Sequence, residues 1–149
     1  MNEQELKVRT KQFGLRVMKL VDALPKTTAG RALGNQLIRS GTSVGANYRA
    51  ACRGRSKAEF IAKIGTVAEE ADESAFWLEL IMDGGLLKPD QVQPLHQEAN
   101  ELTAIFTASG RTAKKSTIQN PQLPISSNQQ SKIQNQKFDH ARRRHQIPH

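Results

Sequence analysis

The chain is 149 residues long and holds one cysteine, Cys52, so an internal disulfide is excluded and a reducing compartment fits. Aromatic residues make up 5% of it and apolar residues of all kinds 37%, which leaves room for one modest aliphatic core. No run approaches the roughly 20 apolar residues that a membrane helix needs. The opening MNEQELKVRTKQF has charges with no apolar stretch behind them, which is not a secretory signal. A soluble, cytoplasmic protein with no membrane contact is expected. No segment alternates apolar and polar residues as a half-buried strand would.

Catalytic and metal-binding patterns are missing as well. A di-iron bundle needs Glu-x-x-His, and none of the four histidines has a glutamate three residues before it. Gly41-Thr-Ser-Val-Gly45 has neither the spacing nor the lysine of a phosphate-binding loop. Ser40, Thr42 and Ser43 have no histidine nearby in sequence to activate them. Arg144 and His149 match an arginine-to-histidine spacing used by helical-bundle ribonucleases, but their setting in a polar tail makes this a chance match. His96 is expected on the surface. No catalytic residue, no metal site, no cofactor and no enzymatic activity are expected.

Acids are absent locally rather than globally. Residues 26–63 hold eight Lys/Arg against Glu59 alone, whereas residues 69–101 hold nine Asp/Glu against Lys88 alone. The formal charge of the whole chain is +8. A polyanion partner is the usual reading of a basic region. Mutual neutralisation of the two regions across neighbouring helices is the other.

What the sequence does contain is helical rhythm. Leu6, Phe13, Val17, Leu20, Val21 and Leu24 share a helical face that ends at Pro25. Thr27 or Thr28 can cap a second helix with Leu33, Leu37, Val44, Tyr48 and Ala51 inward, stopped by Gly54. Ser56-Lys57-Ala58-Glu59 predicts a capping box, in which Ser56 and Glu59 satisfy each other's backbone donors. The helix it opens carries Phe60, Ile64, Val67, Ala71, Ser74, Leu78 and Ile81, and Gly84-Gly85 closes it. A fourth begins near Pro89 with Val92, Leu95, Ala99, Leu102, Phe106 and Ser109. Short connections make each helix antiparallel to the one before, so the expected fold is all-α, an up-down-up-down four-helix bundle over residues 1–115.

The second helix raises a specific question, because 39-RSGTSVGANYRAACRGRSKAEF-60 combines poor helix formers with many arginines. At about 100° per residue, Leu33, Leu37, Gly41, Val44, Tyr48, Ala51 and Cys52 fall on one arc. Arg31, Arg39, Arg49 and Arg53 fall on the opposite one. Gly41 and Gly45 lie on or beside the core arc, where small residues admit a neighbouring helix closely at a cost of about 1 kcal/mol each in helix propensity. Antiparallel pairing about Gly54 puts Arg39 opposite residue 70, so ion pairs with acids of the third helix are expected there. Arg55 and Lys57 carry the arginine stripe around the turn, and these six residues form the candidate nucleic-acid contact.

The runs 38-IRSGTSVGANYRAA-51, 55-RSKAEFIAKIG-65 and 70-EADESAFWLELI-81 resemble a bacterial four-helix-bundle family named for proteins encoded in intervening sequences of large-subunit ribosomal RNA. That family also includes the accessory protein of diversity-generating retroelements. The resemblance covers roughly residues 10–115 and ends in 109-SGRTAKK-115. It implies a small helical bundle, with ring-like homopentamers among its members. For the retroelement member it implies binding of RNA or DNA and of a reverse transcriptase. Many relatives carry an acidic residue soon after the Ala-Asn pair, where this chain has 48-YRAACRGR-55 and a more basic surface.

Independently, 75-AFWLELIM-82 is apolar on nearly every side, more than one bundle seam can cover. Ile61, Ala68, Ala75 and Met82, with Phe76 and Trp77, are therefore the candidate homo-oligomer interface. Two functions stay open: a nucleic-acid-binding accessory factor, or a self-assembling or protein-binding scaffold. From Ser116 to His149 the chain turns rich in Gln, Asn, Ser and Pro and repeats Ile-Gln-Asn, and a disordered basic tail is expected.

Overall fold

The structure, a computed structural model, describes residues 1–119. Four helices follow one another: α1 (Glu3–Asp22), α2 (Thr28–Cys52), α3 (Lys57–Asp83) and α4 (Pro89–Gln119). No strand occurs among the described residues. The expected disorder of the tail falls outside the described residues. Helix α4 continues to Gln119, and the compact unit of the bundle spans Met1–Lys115.

Local signals account for the helix ends. Asn2 and Glu5 form a reciprocal capping box at the start of α1. Thr27 caps α2 by accepting from the Gly30 amide at 3.1 Å. Ser56 caps α3 by accepting from the Glu59 amide at 3.1 Å, but the expected box is only half made. The Glu59 carboxylate instead accepts from the Arg55 amide at 2.7 Å, one residue earlier in the turn. After α3, Gly85 at φ +69° lets the Leu86 amide reach the Ile81 carbonyl and its own amide the Met82 carbonyl. That double closure satisfies the last orphan acceptors of the helix. Pro94 sits on the exposed side of α4, near its start.

The helices pack as an antiparallel circuit. On α2 against α3, Ser40 meets Ser74 through a buried hydroxyl pair at 2.9 Å. On α1 against α2, glycines set the spacing. A Cβ on Gly41 would lie 2.7 Å from a Val17 methyl, and one on Gly45 would lie 3.4 Å from the Thr10 backbone. The sequence expectation of a close neighbour at these glycines is met, and that neighbour is α1. On α3 against α4, a Cβ on Gly110 would lie 3.6 Å from an Ile64 methyl, and α1 faces α4 through Arg9 and Glu98. Tyr48 and Phe106 stack diagonally across the core with ring centroids 5.1 Å apart.

The expected core is the observed one, with differences in degree. Val21, Leu33, Cys52 and Phe60 are only partly buried at its edge, and so is Ser109. Thr10 and Gly14 are buried on α1 and fill the step that the apolar pattern leaves between Leu6 and Phe13 and beyond. Thr10 tolerates this because its hydroxyl donates to the Leu6 carbonyl at 2.8 Å.

Candidate nucleic-acid interface

Helix α2 carries Arg31, Arg39, Arg49 and Arg53 on its exposed side, and Arg55 is exposed in the turn that follows. Lys57 opens α3 half-buried. These residues do not form one equivalent stripe. Arg31 and Arg53 are separated by 22 residues, about 33 Å along a helix axis. Arg39 bridges to Glu73 and approaches Glu70 at 3.7 Å, the register expected from antiparallel pairing. Glu73 also accepts from the Trp77 indole at 3.3 Å, so Arg39 is locked into a pair of acids on α3. Its charge is neutralised locally.

The remaining cations gather at one end of the bundle. Topology brings together the start of α1, the end of α2, the start of α3 and the later turns of α4. A Cβ on Gly110 would lie 3.6 Å from an Ile64 methyl, so antiparallel register puts Arg111 at the level of Lys63 and Lys114 and Lys115 at the level of the opening turns of α3. Residues 1–12, 49–65 and 101–115 together hold eleven Lys/Arg and four Asp/Glu. Arg49, Arg53, Arg55, Lys63, Arg111, Lys114 and Lys115 are exposed, and among the described residues none of their side chains forms an ion pair with a carboxylate. Sequence reasoning missed Lys63 and the three cations of α4. The antiparallel topology itself was the signal that places them next to the α2–α3 turn.

Several acids elsewhere have partners. Arg9 donates to Glu98 at 3.0 Å through Nε and to Glu101 at 2.8 Å, and Arg16 approaches Glu98 at 3.8 Å. The hydrogen bond to Glu98 raises the Arg9 pKa further, so its charge is fixed. Burial, then the neighbouring Glu73, pushes the Glu70 carboxyl above its ordinary value, with Arg39 opposing. Burial raises the Cys52 thiol, and the adjacent Glu3 adds to it, which makes this cysteine a poor nucleophile. His96 is less exposed than expected: its side chain lies between α3 and α4 with Nε2 3.4 Å from Glu79. Among the described residues no group of three or more His, Cys, Asp or Glu could hold a metal ion. None of the described helices is long and apolar enough to cross a membrane.

The sequence pattern of 23S rRNA-intervening sequence proteins matches residues 3–108, the whole of the first three helices and most of the fourth. The chain belongs to that family. It is similar to a crystal structure of a protein of unknown function from the S23 ribosomal protein family of Bacteroides thetaiotaomicron VPI-5482. The two are 28% identical with a TM-score of 0.69, over 74% of this chain and 99% of that one. No curated protein matches the chain.

The apolar surface of this family member differs from the expected interface. Ala75 is 3% exposed and belongs to the core, so it is not available to a partner. Ala68, Trp77 and Met82 are partly buried against the core, and Ile61 is half-buried. Phe76 stands out at 50% exposure, with its ring against Trp77 at 5.1 Å, and Leu80 follows one turn later. The reason is geometric: apolar residues all round α3 are absorbed by both flanking helices, α2 and α4, leaving one outward strip. Val8, Leu15 and Met18 on α1 are also about half exposed. They were missed because the stronger core stripe of α1 hides a second one.

Proposed function

We propose that this protein is a non-enzymatic helical bundle that binds a nucleic-acid backbone through its basic end. The observation that carries the reading is the set of exposed cations from α2, the α2–α3 turn, α3 and α4 that lack carboxylate partners. Cations left unpaired on a rigid frame are suited to phosphate, because each contact releases condensed counterions. Such contacts position a polyanion without reading bases. The family's name, which refers to ribosomal RNA, supports RNA as the first polyanion to test. Arg49, Arg53 and Arg55 carry over from the sequence reading into this site, and Lys57 is half-buried next to it in sequence. Arg39 does not, since its acids would have to be released first, and Arg31 stands too far along α2.

The test is fluorescence anisotropy of a labelled RNA against rising salt, using the wild type and an Arg53→Glu/Lys114→Glu variant. The variant should bind more weakly for unrelated RNA sequences alike. Its plot of log affinity against log salt should be shallower by roughly 0.7 to 0.9 for each phosphate that is no longer neutralised. Absence of measurable RNA and DNA binding by the wild type at low salt would refute the reading.

The second reading is a self-assembling scaffold. It is favoured by Phe76 and Leu80, which the other described helices leave exposed on α3.

A further inference from the structure

The groove between α1 and α2 changes character along its length. It is an open trough of about 570 Å³, within the size range of small-molecule sites. A Cβ on Gly45 would lie 3.4 Å from the Thr10 backbone, and one on Gly14 would lie 3.8 Å from the Thr42 Cα. Those approaches keep the floor low and fix the register of the two helices. Arg49, one turn beyond Gly45, is therefore level with the early turns of α1, where Lys7 and Lys11 also line the trough. In the other direction it is lined by Leu15 and Met18, with Thr42 opposite them. The Thr42 hydroxyl is already spent, since it donates to the Ile38 carbonyl at 2.6 Å. One end of the trough is cationic and the other apolar, and among the described residues no carboxylate lines either.

The three cations are not equivalent. Lys7 bridges to Glu3 at 3.3 Å. Lys11 and Arg49 are exposed, and among the described residues neither forms an ion pair. Val8, Leu15 and Met18 are exposed by 52%, 45% and 46%, so about half of each side chain is left to be covered. Met18 lies seven residues beyond Lys11, about 10 Å along the helix axis. A bare inorganic anion would neutralise the cations and leave that apolar length wet. A molecule with one anionic head and one alkyl chain matches both halves at once.

We infer that the α1–α2 groove binds a free single-chain aliphatic carboxylate, with its head between Lys11 and Arg49 and its chain laid past Val8 toward Leu15 and Met18. The charge pairing decides which way the chain lies, and the apolar wall makes affinity depend on chain length. Complete burial of one methylene tightens binding about fourfold. An open trough covers about half of a chain lying in it, so each further pair of methylenes should bring about that factor. The inference goes beyond polyanion binding and does not rest on it, because the apolar wall has no part in the basic end.

The test is isothermal titration calorimetry of the full-length protein with octanoate, decanoate and dodecanoate, each below its micelle concentration. Affinity should rise about fourfold at each step, while propionate and dodecyltrimethylammonium should give no measurable binding. Lys11→Glu should weaken decanoate by about tenfold, the loss of one hydrogen bond to a charged group. Ala46→Trp should abolish binding by filling the floor of the trough. Position 46 is exposed, so that variant should keep its helical circular dichroism, and Leu15→Glu serves in its place if it does not. No binding of dodecanoate, an affinity independent of chain length, equal affinity for the cationic amphiphile, or binding unchanged by Lys11→Glu or by the filled groove would each overturn the inference. So would co-sedimentation with phosphatidylserine vesicles in the absence of decanoate binding, which would assign the groove to a bilayer surface instead.

Discussion

Replacing Gly41 by alanine should weaken the bundle, although alanine is the better helix former. Gly41 sits mid-helix in α2, so the substitution gains about 1 kcal/mol of propensity. Against that, the new methyl would lie 2.7 and 2.9 Å from the two methyls of Val17 and 3.1 Å from its Cβ. Val17 is wholly buried on α1 and, being β-branched, has one strongly preferred rotamer in a helix, so it cannot swing aside. The helices must separate instead, and overpacking of this kind costs about 1–3 kcal/mol. With all three contacts on a stiff neighbour, the cost falls in the upper part of that range and the net loss is about 1–2 kcal/mol. For a domain near this size that lowers Tm by roughly 4–8 °C. Gly65 is the matched control. It is exposed inside α3, and a Cβ there meets nothing within 4 Å. Gly65→Ala should therefore raise stability by about 0.5–1 kcal/mol. Calorimetry on both variants, and on Gly41→Ala in a Val17→Ala background, is the assay. The clash should vanish in that background. Equal gains from Gly41→Ala and Gly65→Ala, or no coupling between positions 17 and 41, would refute this account of the α1–α2 contact.

Three further outcomes rest on individual side chains. Gly30→Ala should cost more than any other glycine substitution in α2, because its Cβ would lie 2.0 Å from the Pro25 carbonyl oxygen; urea midpoints across the four α2 glycines give the ranking. Arg9→Ala should lose about 1–2 kcal/mol in urea unfolding, since it leaves Glu98, only 17% exposed, with Arg16 alone at 3.8 Å. Glu70 has a pKa raised above 4.5, so the folded protein holds its proton more tightly than the unfolded chain. Its favourable contribution is present below pH 4.5 and is lost as pH rises through the raised value. Glu70→Gln should remove that slope, making wild type progressively less stable relative to the variant from pH 4.5 toward neutrality, and a constant difference in urea midpoint would contradict it.

Most of the fold was legible because apolar residues recur at helical spacing and the connections are short. Proline, glycine and capping residues then placed the breaks. Thr10 escaped, since nothing in a threonine's identity says that its hydroxyl will bond a carbonyl of its own helix. The partner of Glu59 escaped because a one-residue choice between two amides depends on the turn's dihedrals. The register that joins Arg39 to Glu70 and Glu73 was readable from the antiparallel turn alone. The basic end was only half readable. Arg53 and Arg55 are neighbours in sequence, but Arg111 and Lys114 join them only after the chain has doubled back twice. Apolar composition located the outward strip of α3 without separating Phe76, which is exposed, from Ala75, which is core. That division depends on where α2 and α4 lean.

The glycines of α2 have a consequence for the order in which the bundle forms. Gly30, Gly34, Gly41 and Gly45 together make this segment about 4 kcal/mol less inclined to coil than its alanine counterpart. Helices in proteins take most of their stability from the packing of an apolar face. Yet α2 sits between α1 and α3, and its glycines let α1 approach. Its helicity is thus conferred by its neighbours, and it is expected to form late in folding. Hydrogen exchange of its backbone amides should then track the release of a neighbouring helix, so slow exchange is expected in the segment least able to stand alone.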